Sequence, residues 1–209
     1  MEKMEPKIKW LGHASLLIEL DKTIFIDPWQ IQGGKTADLV LITHSHSDHC
    51  SSVDVEKILK IDGMVIGPSD ALAEIRVGNK LPLKPRELQN LGWVTIEGVP
   101  AYNIGKKFHP KANEWLGYLI HFPQTTIYIA GDTDHIPEMK NLKIDVAIVP
   151  VGGTYTMNAT EAAGAIKEMS PKLAIPVHFG TVVGSQADAE LFASLVKNCE
   201  VRILKPEKS

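Results

Sequence analysis

Short apolar runs separated by polar turns dominate the first 43 residues. Ile8-Lys9-Trp10-Leu11 leads into Gly12-His13, and residues 15–20 and 23–26 flank the polar pair Asp21-Lys22. Two β-rich runs joined by a two-residue polar turn predict a hairpin. Residues 38–43 are apolar and rich in Val, Leu and Ile, which predicts a buried strand. Val53, Val55, Ile58 and Leu59 recur at near-helical spacing, so a helix is expected over 51–60. A strand over 64–66 is stopped by Gly67-Pro68 and followed by a helix over 69–76, and residues 78–91 read as a connecting loop. A second strand-rich block follows, with strands expected over 93–102, 115–122, 126–130 and 144–149. A helix over 160–169 is capped by Asn158 or Thr160 and ended by Ser170-Pro171. A strand over 173–177, a helix over 187–197 and a strand over 201–204 complete the chain. Strands, then mixed strands and helices, twice over, predict an α/β fold: two β-sheets back to back with helices outside, a four-layer αββα sandwich. Its two halves are expected to be similar and to form a single domain, 1–209.

Composition narrows the class without choosing a function. The 209 residues are 44% hydrophobic and 22% charged, which excludes a disordered or collagen-like chain. Two cysteines, Cys50 and Cys199, are too few for a disulfide framework and fit a reducing compartment. A formal charge of −3 with no block of like charge gives no electrostatic reason to expect nucleic acid as the partner. Residues 1–9 are polar, without the apolar core of a signal peptide, and no apolar run approaches the roughly 18 residues of a membrane span. A soluble cytoplasmic protein is the expectation. The eight histidines are the one oddity.

The decisive segment is Thr43-His44-Ser45-His46-Ser47-Asp48-His49, directly after the apolar run. His44 and His46 stand two apart, so in an extended segment both rings point to one side. Asp48 and His49 are expected at the start of the next helix, turned towards the same point. Imidazole nitrogen and carboxylate oxygen are ligands that zinc, iron, manganese or nickel accept. One ion would leave part of the cluster unused; two close together would use all of it. A histidine-rich surface loop without metal is the alternative. Against it, three further apolar runs also end in ligand-type residues: Asp27, Asp132 and His178. Strands delivering such residues at their carboxyl ends are how open α/β sheets build a site at one edge.

His44-Ser45-His46-Ser47-Asp48-His49, Ala130-Gly131-Asp132-Thr133 and Pro176-Val177-His178-Phe179-Gly180, in that order, resemble the motifs of the metallo-β-lactamase superfamily. Trp10-Leu11-Gly12-His13-Ala14, Phe25-Ile26-Asp27-Pro28 and residues 151–157 resemble its small single-domain branch of metal-dependent hydrolases, related to the ascorbate-6-phosphate lactonase-like proteins. The similarity runs over about residues 8–196. It implies that His44 and His46 bind a first metal ion, that Asp48, His49 and His178 bind a second, and that Asp132 bridges both. The family supplies one more histidine to the first ion, at the position aligned with Asn103. His109, in Phe108-His109-Pro110, is taken as its replacement, with His121 or no seventh ligand as the alternatives.

The resemblance further implies two divalent cations, zinc first, with manganese, nickel or iron as alternatives. A bridging water acidified by them would supply hydroxide to a small ester, lactone or phosphodiester. Asp48 and His13 are the residues expected to act in catalysis, His13 by touching substrate or orienting a ligand; a satisfied histidine at a strand end is the plain alternative. Asp27 is expected behind a ligand histidine, accepting its second N–H. Asp134 and His135 either line the pocket or sit in a solvated loop, Tyr155 and Thr156 are candidates to stabilise an oxyanion, and Cys50 reads as a small residue filling space. The Gly-x-Ser-x-Gly elbow of serine hydrolases is absent, which argues against a covalent acyl-enzyme. Two other functions compete: a non-catalytic metal-binding or sensing protein, and a redox di-iron protein, whose relatives carry an acidic residue where His46 stands.

Overall fold

Parallel strands need both faces covered, and the apolar runs 39–41, 64–66, 146–149 and 173–177 all pair in parallel here. The computed structural model describes residues 5–207, so residues 1–4 of the polar N-terminal stretch lie outside it. The chain divides into two compact units, one ending at Leu83 and completed by the tail from Lys205, the other Lys84–Leu204.

The first unit holds β1 (Lys7–Gly12), β2 (Ser15–Glu19), β3 (Thr23–Ile26), β4 (Ala37–Leu41), α1 (Ser52–Ile58), β5 (Leu59–Gly67), α2 (Ser69–Glu74) and β6 (Lys80–Pro82). Its sheet runs in sequence order, β1-β2-β3-β4-β5-β6. The first three strands are antiparallel and β3 to β6 parallel, with the expected hairpin turning between β2 and β3. Leu17, Phe25, Val40 and Val65 bury one face of this sheet against Val55 and Ile58 of α1 and Ala71 and Leu72 of α2.

The second unit holds β7 (Leu88–Asn90), β8 (Thr95–Pro100), β9 (Leu116–His121), β10 (Thr126–Ile129), β11 (Val146–Pro150), α3 (Ala159–Met169), β12 (Leu173–Val177), α4 (Gln186–Leu195) and β13 (Glu200–Val201). Here β7 to β10 are antiparallel and β10 to β13 parallel. Both sheets thus change from antiparallel hairpins to parallel crossovers, which is the similarity of halves expected from the sequence. Asn158 caps α3 through a capping box with Glu161, and Ser170, left-handed at φ 49°, ends it before Pro171. The fold is mixed α/β with two sheets and few helices. Among the described residues no helix is long and apolar enough to cross a membrane.

Three local expectations need correction. α1 stops at Ile58 because Leu59 is already extended and pairs with Ala37, so β5 begins there rather than at residue 64. The loop expected over 78–91 contains β6 and β7, three residues each. Strands that short, one of them carrying Pro82, show no alternation to read.

Candidate metal centre

In the first unit, Thr43 and His44 stand two and three residues past the end of β4, and the chain then turns back on itself around His46. The His46 carbonyl accepts from both His49 N (3.0 Å) and Cys50 N (2.8 Å). His44, His46, Asp48 and His49 therefore project from one turn that ends before the N-cap Ser51, so Asp48 and His49 precede α1 instead of standing in its first turn as expected. His44 and His49 are buried, with ring centroids 4.1 Å apart, and His46 lies edge-on to His44 at 4.7 Å.

Behind these rings sits Asp27, at the carboxyl end of β3. Its left-handed backbone (φ 43°) is held by a bond from its own N–H to Leu41 O (3.0 Å). Asp27 Oδ1 accepts from Thr43 N (2.7 Å), and Oδ2 accepts from the Thr43 hydroxyl (2.6 Å) and from His49 Nδ1 (2.8 Å). The single Thr43 hydroxyl proton goes to the carboxylate. Thr43 Oγ1 is then the acceptor for His44 Nδ1 at 2.9 Å. The network thus assigns the Nδ1-protonated tautomer to both His44 and His49, turning their Nε2 lone pairs away from Asp27. Asp27 is the support behind the rings that the sequence suggested, while Thr43, which links it to the second ring, went unread.

His13 and Asp48 form the other side of this cluster. His13 Nε2 lies 2.9 Å from Asp48 Oδ2, and Asp48 Oδ2 lies 3.8 Å from His49 Nε2. His13 is 1% exposed, left-handed at φ 49°, and edge-on to both Trp29 and His49. Burial pushes the Asp48 carboxyl up, but the hydrogen bond from His13 and the neighbouring His49 more than offset it and set the group at about 2. Asp48 is therefore ionised at neutral pH. Of the readings for His13, this geometry favours the one in which it orients Asp48.

In the second unit, Asp132 follows β10 through Gly131 (φ 65°), and His178 follows β12 in a left-handed conformation (φ 60°). Asp132 Oδ2 lies 3.1 Å from His178 Nε2 and 3.4 Å from His109 Nε2, and all three side chains are buried. His121 stands apart on β9, where its ring meets Glu97 (3.2 Å) and Thr126 (3.3 Å). Asn103 makes a two-way contact with His109: Asn103 N donates to His109 O (2.8 Å), and Asn103 Oδ1 lies 3.0 Å from both His109 N and His109 Nδ1. Asp134 is buried rather than in a solvated loop; it accepts from Ile104 N (2.7 Å), Asn103 Nδ2 (3.1 Å) and Lys106 Nζ (2.6 Å). His135 pairs with Glu168 at 3.2 Å. The Thr156 hydroxyl is buried and directed at Met157 O (3.3 Å), and the Tyr155 ring packs edge-on to Phe108 with centroids 4.6 Å apart.

A close approach explains Gly152 in the 151–157 segment. A Cβ on Gly152 would collide with the His178 carbonyl and lie 2.7 Å from Val183 Cγ2, and one on Gly184 would lie 2.8 Å from Gly152 Cα. Only bare backbone lets the 180–184 loop close on residue 152 and fix the residue after β12.

The donor chemistry fits divalent transition metals. Two nitrogen ligands 2.0–2.1 Å from a tetrahedral ion stand about 3.3 Å apart. His44 Nε2 and His46 Nδ1 are 3.0 Å apart, and the Asp132 contacts to His178 and His109 span 3.1 and 3.4 Å. The ligand atoms of His13, Asp48 and His49 lie within 4.8 Å of one another.

Residues 7–178 match the family model of the β-lactamase superfamily domain. A UPF0173 metal-dependent hydrolase of Pyrococcus horikoshii is 34% identical over 96% of this chain and 96% of its own length. Another from Thermococcus kodakarensis is also 34% identical, over 96% of each chain. Among solved structures, a candidate metal-dependent hydrolase from Parabacteroides distasonis superposes with a TM-score of 0.86 at 34% identity, over 96% of this chain and 94% of that one. The chain belongs to the metallo-β-lactamase superfamily. Within it, the matches place the chain in the small branch of metal-dependent hydrolases.

Proposed function

We propose that the chain is a dinuclear metal-dependent hydrolase acting on a small ester, lactone or phosphodiester. His44, His46 and His109 serve one divalent ion, Asp48, His49 and His178 the other, and Asp132 is shared. Zinc is the first choice, with manganese, nickel or iron as alternatives. The observation that carries this reading is the Asp27–Thr43 support, which sets two buried imidazoles in the tautomer a metal ligand needs. When bound, such ions polarise a carbonyl or phosphoryl oxygen and acidify water.

The chain's own residues do the rest. Asp27 and Thr43 hold the His44 and His49 rings in place, and His13 holds one oxygen of an ionised Asp48. Asp48 can then stand against a cation or take up a proton released near it. The resemblance to lactonase-like proteins favours lactones within the substrate classes, and two free cysteines fit action in the cytoplasm. The test is a panel of lactones, esters, thioesters, phosphodiesters and β-lactams, assayed on metal-stripped protein and after adding zinc, manganese, nickel or iron. Metal-dependent turnover of a lactone, ester or phosphodiester is expected, lost in Asp132→Ala. Turnover that survives chelation, or no turnover with any of the metals, would overturn the proposal.

A further inference from the structure

Asparagine stands at 103, where the resemblance expects a histidine ligand, and its amide does a different job. Asn103 Nδ2 donates to two groups that can only accept: Asp134 Oδ1 at 3.1 Å and Tyr155 O at 2.9 Å. Asp134 in turn is fixed by the Lys106 ammonium at 2.6 Å and Ile104 N at 2.7 Å, and Lys106 Nζ also reaches Thr156 O at 2.7 Å. A flipped amide would point its oxygen at a carboxylate and a carbonyl, so the orientation is settled by charge. The oxygen therefore faces His109, 3.0 Å from its backbone N–H and 3.0 Å from Nδ1. An amide oxygen only accepts, so Nδ1 must carry the proton. His109 Nε2 is then the electron-pair donor, and it points to Asp132 Oδ2 at 3.4 Å.

We propose that Asn103 is a positioning residue that sets His109 as the Nδ1-protonated imidazole, with Asp134 and Lys106 as the clamp that keeps its amide from turning. The inference rests on reading His109 as a metal ligand. It gives Asn103 a specific role in the chain's departure from the family pattern: the loop of residues 103–109 carries the ligand at its far end, and the residue at its near end fixes that ligand's proton. The same logic operates behind His44 and His49, where a hydroxyl and a carboxylate do the work of the amide.

The test uses the full chain labelled with ¹⁵N-histidine, metal-stripped, in long-range ¹H–¹⁵N correlation spectra that distinguish the two neutral tautomers. His109→Ala assigns the His109 signals. Wild type is expected to show the Nδ1-protonated pattern. Asn103→Ala is expected to lose it and to bind zinc about 10–100-fold more weakly in chelator competition. A wild-type His109 protonated on Nε2, or an Asn103→Ala protein with the wild-type pattern, would overturn the proposal; the wild-type measurement decides even if Asn103→Ala does not fold. Zinc affinity unchanged in His109→Ala would instead refute the ligand reading, and the tautomer spectra of metal-free protein separate the two failures.

Discussion

His49 Nδ1 meets Asp27 Oδ2 at 2.8 Å, with the two side chains 0% and 1% exposed. Asp27 gathers three donors, Thr43 N, the Thr43 hydroxyl and His49 Nδ1, from the segment that carries the first histidine motif. Removing the carboxylate leaves these neutral donors buried without an acceptor, at about 1–3 kcal/mol for each one left unsatisfied. Asp27→Ala is expected to lose stability on that scale in urea unfolding. Asp27→Asn keeps the shape but replaces an acceptor-only group with one that also donates, and zinc affinity should fall about 10–100-fold. Wild-type affinity in Asp27→Asn would show that the support does not tune a metal ligand.

The His13–Asp48 pair gives a pH signature in metal-free protein. The Asp48 carboxyl is depressed from its ordinary 3.8 to about 2, so its ionised form is favoured by folding. The resulting stability is fully present above about pH 4 and is lost as pH falls through about 2. With Asp48 about a quarter exposed, screening reduces the effect to roughly 1–2 kcal/mol. In His13→Ala the burial remains and the hydrogen bond is gone, so the carboxyl should titrate well above 2. Carboxyl ¹³C titration of Asp48 in both proteins checks this; an unmoved midpoint would refute the role given to His13.

Gly152 and Gly78 make a contrast in what a single methyl group does. At Gly152 it meets the His178 carbonyl, whereas at Gly78 nothing lies within 4 Å. Overpacking against backbone costs about 1–3 kcal/mol or more, and here it also moves His178. Gly152→Ala should therefore lower both the melting temperature and the metal content. Gly78→Ala should be neutral or stabilise by up to about 1 kcal/mol by restricting the unfolded chain. Equal melting temperatures for the two variants would contradict this account of the 180–184 loop.

How far the sequence could be read follows from what each feature depends on. The central parallel strands were legible because each holds an unbroken apolar run, and Asp27, Asp132 and His178 because each stands one to three residues past such a strand. Asp27's place behind a ring follows from the same pattern. The role of Asn103 was not legible: a neutral amide reads as a poor ligand, and only the return of the 103–109 loop shows that its oxygen faces an imidazole. Lys106 carries no signal for the same reason, and Asp134 reads only as a pocket or loop residue, since their pairing closes across 28 residues. Gly152 carries no signal of its own; its need for a bare Cα comes from His178, far along the chain.

The central claim is a pair of divalent ions on one chain, and metal stoichiometry tests it most directly. Protein stripped of metal, reconstituted with excess zinc and passed through a desalting column would be analysed by inductively coupled plasma mass spectrometry. Wild type is expected to hold two ions per chain, and Asp132→Ala, which removes the proposed shared carboxylate, one or fewer. A wild-type chain that retains no zinc or a single ion, or an Asp132→Ala chain that keeps two, would contradict it.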